Sequence, residues 1–307
     1  MANDYDVEVP SQALPKVPAK TKQALLNSTE DLENKEVPYQ LCIFGDQGTG
    51  KTLAMMKLMQ AITKPDKRIL FIDSGNGWAT LKGYPELMKR VKYSKYENLE
   101  QVLAWATALN EGGPGFDSIG AVILDEYSSM VRKDRTWIVK ARAKQKEDKG
   151  EFKDPFQPAQ PDYLASQIRS EDILNAFVST SIHVGFLSHE KRDKDTMMMR
   201  PDFTPGAAND LQRILHSVLR ATVTLDKATK KPVRQLQLQP IGNRVSCKNR
   251  VDGLGNFAND ISEVAEAYLK WGIQPEHMDN TLTEAEVTSV VEDNELLRLL
   301  NKDNEEN

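Results

Sequence analysis

Apolar positions along this chain fall into short runs separated by stretches of helical periodicity. Tyr39-Gln40-Leu41-Cys42-Ile43-Phe44 has strand character, and Leu53, Met55, Met56, Leu58, Met59 and Ile62 follow at helical spacing. Arg68-Ile69-Leu70-Phe71-Ile72-Asp73 predicts a second strand and Val91-Lys92-Tyr93 a short third. A helix is expected over about 97–110, carrying Leu99, Val102, Leu103, Trp105 and Ala106, and further strands over Ile119–Leu124 and Ile182–Leu187. Apolar strands alternating with helices predict an α/β fold with a mainly parallel central sheet flanked by helices. Farther on, Val218–Leu225 alternates, turns through Asp226–Pro232 and returns as Val233–Leu238. That pattern predicts an antiparallel hairpin that extends the sheet. A strand near Val245–Cys247 and a closing helix from about Ile261 to Trp271 complete the expected domain, 37–272.

The flanks read differently. Residues 1–36 are polar and mixed in charge, with Pro10, Pro15 and Pro18 and few large apolar side chains. Such a stretch cannot repay its ordering entropy alone, so it is expected to be a flexible arm, either a plain tail or one that orders on a neighbouring subunit. Residues 273–307 form an acidic tail in which Thr283-x-x-Glu286 resembles a capping box. There Val287, Val290, Val291, Leu297 and Leu300 recur at helical spacing.

The chain has 307 residues, of which 39% are hydrophobic, enough for one large α/β core. No run approaches the roughly 18 apolar residues of a membrane span, and the acidic, polar N-terminus is unlike a secretory signal. The two cysteines, Cys42 and Cys247, lie in strand-like runs rather than in a disulfide or zinc pattern. A cytoplasmic setting is expected. The net charge of −5 speaks against a uniformly basic nucleic-acid coat while leaving room for a local basic groove.

Between the first strand and first helix stands Gly45-Asp46-Gln47-Gly48-Thr49-Gly50-Lys51-Thr52, a complete G-x-x-x-x-G-K-T phosphate-binding loop. Its strand–loop–helix setting gives the motif a mechanism. Backbone N–H groups and the helix N-terminus attract phosphate. Lys51 would reach the β- and γ-phosphates of ATP, and the Thr52 hydroxyl would ligate Mg²⁺. The run Ala121-Val122-Ile123-Leu124-Asp125-Glu126 ends in carboxylates at the same sheet edge. Asp125 is expected to hold Mg²⁺ and Glu126 to orient the attacking water, although an Asp-Glu pair also suits a plain helix cap. Asp73-Ser74-Gly75-Asn76-Gly77-Trp78 leaves its strand through a glycine turn at that edge, and His189 follows Leu187-Ser188, placed either to sense the γ-phosphate or to serve the fold.

The order of these parts resembles the RecA-type core, and most closely the phage-encoded single-domain RecA-like ATPases of the Sak annealing-protein type. The resemblance rests on the phosphate loop, on Phe71-Ile72-Asp73-Ser74-Gly75, and on the Asp125 strand. It continues through Ser188-His189-Glu190-Lys191, Arg200-Pro201-Asp202-Phe203-Thr204-Pro205-Gly206 and Cys247-Lys248-Asn249-Arg250-Val251-Asp252-Gly253. It implies a RecA-like P-loop NTPase core with Asp73 among the nucleotide-binding residues. It also implies a homo-oligomer, ring or filament, with ATP between subunits. Lys248 and Arg250, placed on a tight loop, would then reach a neighbour's γ-phosphate as a finger. In one respect the chain departs from the pattern: RecA-type proteins carry a catalytic Glu where this chain has Gly75. That moves the water-activating role toward Glu126, with Asp73 next.

Two basic segments are candidates for single-stranded DNA. Residues 131–160 mix Arg132, Lys133, Arg135, Lys140, Arg142, Lys144, Lys146, Lys149 and Lys153 with Trp137 and Phe152. Residues 191–206 hold Lys191, Arg192, Lys194, Met197-Met198-Met199, Arg200 and Phe203. Cations that track phosphates and flat side chains that meet bases make up single-strand recognition. The first segment also reads as a solvated, partly helical excursion. The acidic tail suits contact with a partner such as a single-strand-binding protein, competition with DNA for the basic groove, or plain solubility. The reading is an ATPase acting on single-stranded DNA in phage recombination (annealing) or replication. Alternatives are a DnaB-like hexameric helicase motor and an ATP-switched DNA-binding module with negligible turnover.

Overall fold

The computed structural model describes residues 37–272 apart from 152, 204, 227–228 and 241–244. The expectations for the arm, the acidic tail and Phe152 lie outside the described residues. Among the described residues ten strands form one sheet: β1 (Gln40–Gly45), β2 (Arg68–Asp73), β3 (Val91–Lys95), β4 (Ile119–Asp125), β5 (His183–Arg192), β6 (Met199–Pro201), β7 (Ser217–Leu225), β8 (Pro232–Gln237), β9 (Lys248–Asn249) and β10 (Phe257–Ala258). Along the sheet the order is β10-β8-β7-β1-β5-β4-β2-β3, with β6 on β5 and β9 on β7. From β7 to β3 every neighbour is parallel, while β8 and β10 add antiparallel strands beyond β7. This is a P-loop NTPase fold, with the expected C-terminal hairpin extending a mainly parallel sheet.

The pleat of β1 shows how the sequence builds two cores. Leu41 and Ile43 face one layer, Cys42 and Phe44 the other, and all four are fully buried. The first layer is α1 (Lys51–Ile62), the 3₁₀ turn Gly77–Gly83, α2 (Pro85–Met88) and the closing helix Ile261–Gly272. Across the sheet lie α3 (Leu99–Glu111), α4 (Tyr127–Glu147), α5 (Gln160–Val178) and α6 (Pro205–Ile214). Apolar side chains on both faces are what a parallel sheet requires, and they explain the unbroken apolar runs.

The structure departs from the expectations in two places. First, the fifth strand does not end at Leu187. It continues to Arg192 because β6 folds back on Glu190–Arg192 as an antiparallel partner. Second, pairing expected near Val245–Cys247 falls instead at Lys248 and Asn249, which bond to Val218 and Ser217; Val245 makes only an isolated bridge to Met199. Lys248 therefore sits in a short strand rather than on a loop. The basic segment after β4 begins as a long helix, in keeping with its reading as a partly helical excursion. Tyr127 donates to Ser170 O at 2.9 Å and Ser166 donates to Val131 O at 3.3 Å, so α4 and α5 run antiparallel. Their distal parts continue past the carboxyl edge of the sheet. There Ile138, Val139 and Ala143 are buried outside the two sheet-facing cores.

Candidate nucleotide site

β1 delivers its last residue, Gly45, to the carboxyl edge, and the chain turns through exposed Asp46, Gln47 and Gly48. The Thr49 hydroxyl donates to Asp46 O at 2.9 Å and closes the loop. Gly50 precedes α1 at φ +87°, in the left-handed region open to glycine. Lys51 folds back over the loop, donating to Gly45 O at 2.9 Å and Asp46 O at 2.7 Å. Burial holds its ammonium below the ordinary lysine pKa, opposed by Asp125, Glu126, Asp46 and Glu190.

Two carboxylates meet across the register at this edge, Asp73 on β2 beside Asp125 on β4. Both are buried, but their surroundings differ. Asp73 accepts from Gly75 N at 2.8 Å and from Gly77 N and Trp78 N at 3.2 Å, which folds the turn after β2. Asp125 has the Thr52 hydroxyl at 3.3 Å. Its carboxyl is pushed up to about 7 by burial, then by Asp73 and Glu126, against the Thr52 hydrogen bond and Lys51. An acidic cluster beside a threonine hydroxyl fits Mg²⁺, a hard cation that takes a few protein oxygens and completes its shell with phosphate and water. Among the described residues no group of three or more His, Cys, Asp or Glu side chains could hold a metal ion without such help.

Glu126 stands between β4 and α4 at φ +56° and ψ +47°. A left-handed backbone is uncommon away from glycine and gathers at functional sites. The side chain lies against Gly75, where a Cβ would collide with its carboxylate, and a Cβ at Gly77 would likewise collide with Asp125. The glycine at the position of the expected glutamate thus leaves the space that the Glu126 carboxylate fills. His189 Nε2 lies 3.6 Å from Glu126 Oε1, and His189 pairs with Gly45 across β1 and β5. The structure therefore brings the phosphate loop, Asp73, Asp125, Glu126 and His189 to one edge.

Lys248 and Arg250 are elsewhere. β9 joins β7 at Ser217 and Val218, whereas the phosphate loop joins it at Ala221. The separation along the strand is about 10–13 Å, toward the opposite edge. Lys248 donates to Leu215 O at 2.8 Å and to Gln212 O, and Arg250 donates to Arg213 O at 2.9 Å. Both cations thus cap the C-terminal end of α6, a favourable place for positive charge. Neither reaches the phosphate loop of its own chain.

Three further features were not singled out from sequence. Arg220, beside Phe44 of β1, makes a two-point ion pair with the nearly buried Glu190 at 2.7 and 3.2 Å. An arginine inside the apolar half of a strand was the available signal. Ser128 accepts from His189 N at 3.2 Å, fixing the backbone at the histidine. Arg234 of β8 lies against the phosphate loop: a Cβ at Gly50 would be 3.1 Å from its Cδ and 3.3 Å from its Nε.

Of the DNA candidates, several are occupied within the fold. Phe203 is buried against Tyr127, Arg200 pairs with Asp193 at 3.0 Å, and Arg142 and Lys153 pair with buried Asp162 at 3.0 and 2.8 Å. Lys133, Trp137, Lys140 and Lys144 form an exposed stripe on α4, although Lys133 donates to Ser74 O and the Arg169 guanidinium lies over the Trp137 ring at 5.5 Å. Lys191, Arg192 and Lys194 are exposed on the β5–β6 hairpin. Arg132 (2.6 Å) and Lys191 (3.8 Å) meet on Asp202, joining the two surfaces.

No helix among the described residues is long and apolar enough to cross a membrane. No curated protein matches the chain. A family model described as an AAA domain matches residues 37–251, a span that holds the phosphate loop, both carboxylate strands and the Lys248–Arg250 segment. Geometry and family agree, and the chain belongs to the AAA-domain family of P-loop ATPases.

Proposed function

We propose that this chain is a RecA-like, Mg²⁺-dependent ATPase that acts on single-stranded DNA as a homo-oligomer, in phage recombination by annealing or in replication. The phosphate loop would hold the triphosphate, with Lys51 on its β- and γ-oxygens. Thr52 and Asp125 would hold Mg²⁺, which when bound neutralises charge on the phosphate oxygens. Glu126 orients the attacking water, and His189 positions its carboxylate and faces the γ-phosphate. Asp73 keeps the turn that seats Glu126.

The observation that carries the DNA part is the junction at Asp202. Asp202 N donates to His189 O at 2.8 Å and to Ser188 Oγ at 3.2 Å, while its carboxylate meets Arg132 and Lys191. Cations from both basic surfaces are thereby tied to the strand end that carries His189. Trp137 is 57% exposed, a flat surface among lysines of the kind single strands stack on. Lys248 and Arg250 lie on the sheet edge opposite the phosphate loop. A head-to-tail assembly, in which one subunit's amino edge meets the next one's nucleotide, would make them a finger in trans.

ATP hydrolysis measured with and without single-stranded DNA tests this reading. We expect turnover to rise several-fold with single strands, and more steeply than linearly with protein concentration. Annealing with negligible turnover would favour the ATP-switched module, ATP-driven duplex unwinding would favour the helicase motor, and indifference to DNA would overturn the DNA assignment.

A further inference from the structure

The proposed mechanism leaves one cation at the phosphate loop without a task. Among the described residues no hydrogen bond or ion pair engages the Arg234 side chain, although Asp46 is exposed in the same loop. Arg234 pairs with Val223 on the part of the β7–β8 hairpin that continues beyond Ala221, the residue level with Gly45. Two residues from Leu236, it shares that side chain's face, the face covered by α1. Its aliphatic stem lies over Gly50, and its guanidinium ends beside the N-terminus of α1.

The order of strands gives the site a direction. Asp125, Glu126 and His189 come from β4 and β5, on one side of β1, whereas β7 and β8 lie on the other. A triphosphate whose γ end faces the carboxylates and their Mg²⁺ must carry its nucleoside end toward the β7–β8 hairpin. We infer that Arg234 is a nucleotide-binding residue of its own subunit, its guanidinium holding the α-phosphate at the nucleoside end. A guanidinium fork suits two phosphate oxygens, and a cation that had no partner before binding loses none on binding. This rests on the ATPase reading, but it concerns the end of the nucleotide farthest from the chemistry.

Because the α-phosphate is common to ATP and ADP, the two must respond alike. Calorimetric titration of the full chain with Arg234→Ala should show ATP and ADP each bound about tenfold more weakly, the scale of one charge-assisted contact. Turnover at saturating ATP should change little. Arg234→Lys should recover part of the loss for both nucleotides. Unchanged ADP affinity in Arg234→Ala, or a loss confined to ATP, would overturn the assignment. A wild-type chain that binds neither nucleotide would instead bring down the ATPase reading, and this inference with it.

Discussion

One sheet presents two edges, and they treat polar groups in opposite ways. At the amino edge, named groups are closed on one another. Tyr39 OH donates to Ser217 Oγ, which donates to Asn249 Oδ1, both at 2.7 Å. His183 Nδ1 accepts from Tyr39 N at 2.9 Å and His216 Nδ1 from Gln40 N at 3.2 Å. Lys248 and Arg250 close the end of α6. The carboxyl edge gathers Asp73, Asp125 and Glu126, left-handed backbone at Asn76 and Glu126, and the Arg234 guanidinium, which has no partner among the described residues. Hydrogen-bonded closure at one edge stabilises; imbalance at the other is what a charged ligand and a cation can satisfy.

The comparison breaks most sharply at Lys51. Lys51→Ala should abolish detectable ATP binding or hydrolysis while leaving the fold, and thus the thermal unfolding transition, in place. Wild-type affinity for ATP in that variant would remove the carboxyl edge as the nucleotide site. A finer cut is Gly75→Ala. The added methyl must displace the Glu126 carboxylate from the space it occupies, so turnover should fall about 10²-fold, as for loss of a general base. ATP binding should persist, and Glu126→Gln should behave alike. Full turnover in Gly75→Ala beside a slow Glu126→Gln would show that this seat is irrelevant to the chemistry.

What could be read in the sequence was local in the chain. The phosphate loop, the apolar strand before it and the Asp125 strand are each contiguous, so pattern alone placed them. The space at Gly75 was not legible, because Gly75 and Glu126 meet only through the pairing of β2 with β4. The same holds for Arg234, which reaches Gly50 through the β7–β8 pairing. β5 outran its expected end because Ser188–Arg192 is polar; β1 pairs with it as far as His189, and β6 makes a strand of Glu190–Arg192. Phe203 read as a base-stacking side chain amid cations, whereas tertiary packing buries it against Tyr127. The long polar α4 was legible as partly helical, but its partner was not: its distal half packs against α5 rather than on the sheet.

The smallest expected effects concern stability, and the two edges should respond with opposite signs. Ser217→Ala leaves the buried Tyr39 hydroxyl without its partner, which should cost about 1–3 kcal/mol with ATP turnover unchanged. For Asp125 the carboxyl titrates near 7 in the fold, above the ordinary carboxylate value of 3.8. Unfolding therefore releases a proton over the interval between those values, and stability falls as pH rises through it. Below the interval both states are protonated and the cost vanishes; above it the cost is complete. Asp125→Asn keeps the shape and removes the charge. Thermal unfolding in chelator should then show the variant more stable than wild type at pH 8, with the gap shrinking toward pH 5 and below. An equal gap at both pH values would mean that the ionised carboxylate is not what strains this edge, and destabilisation at pH 8 would mean that Asp125 is as well satisfied as Ser217.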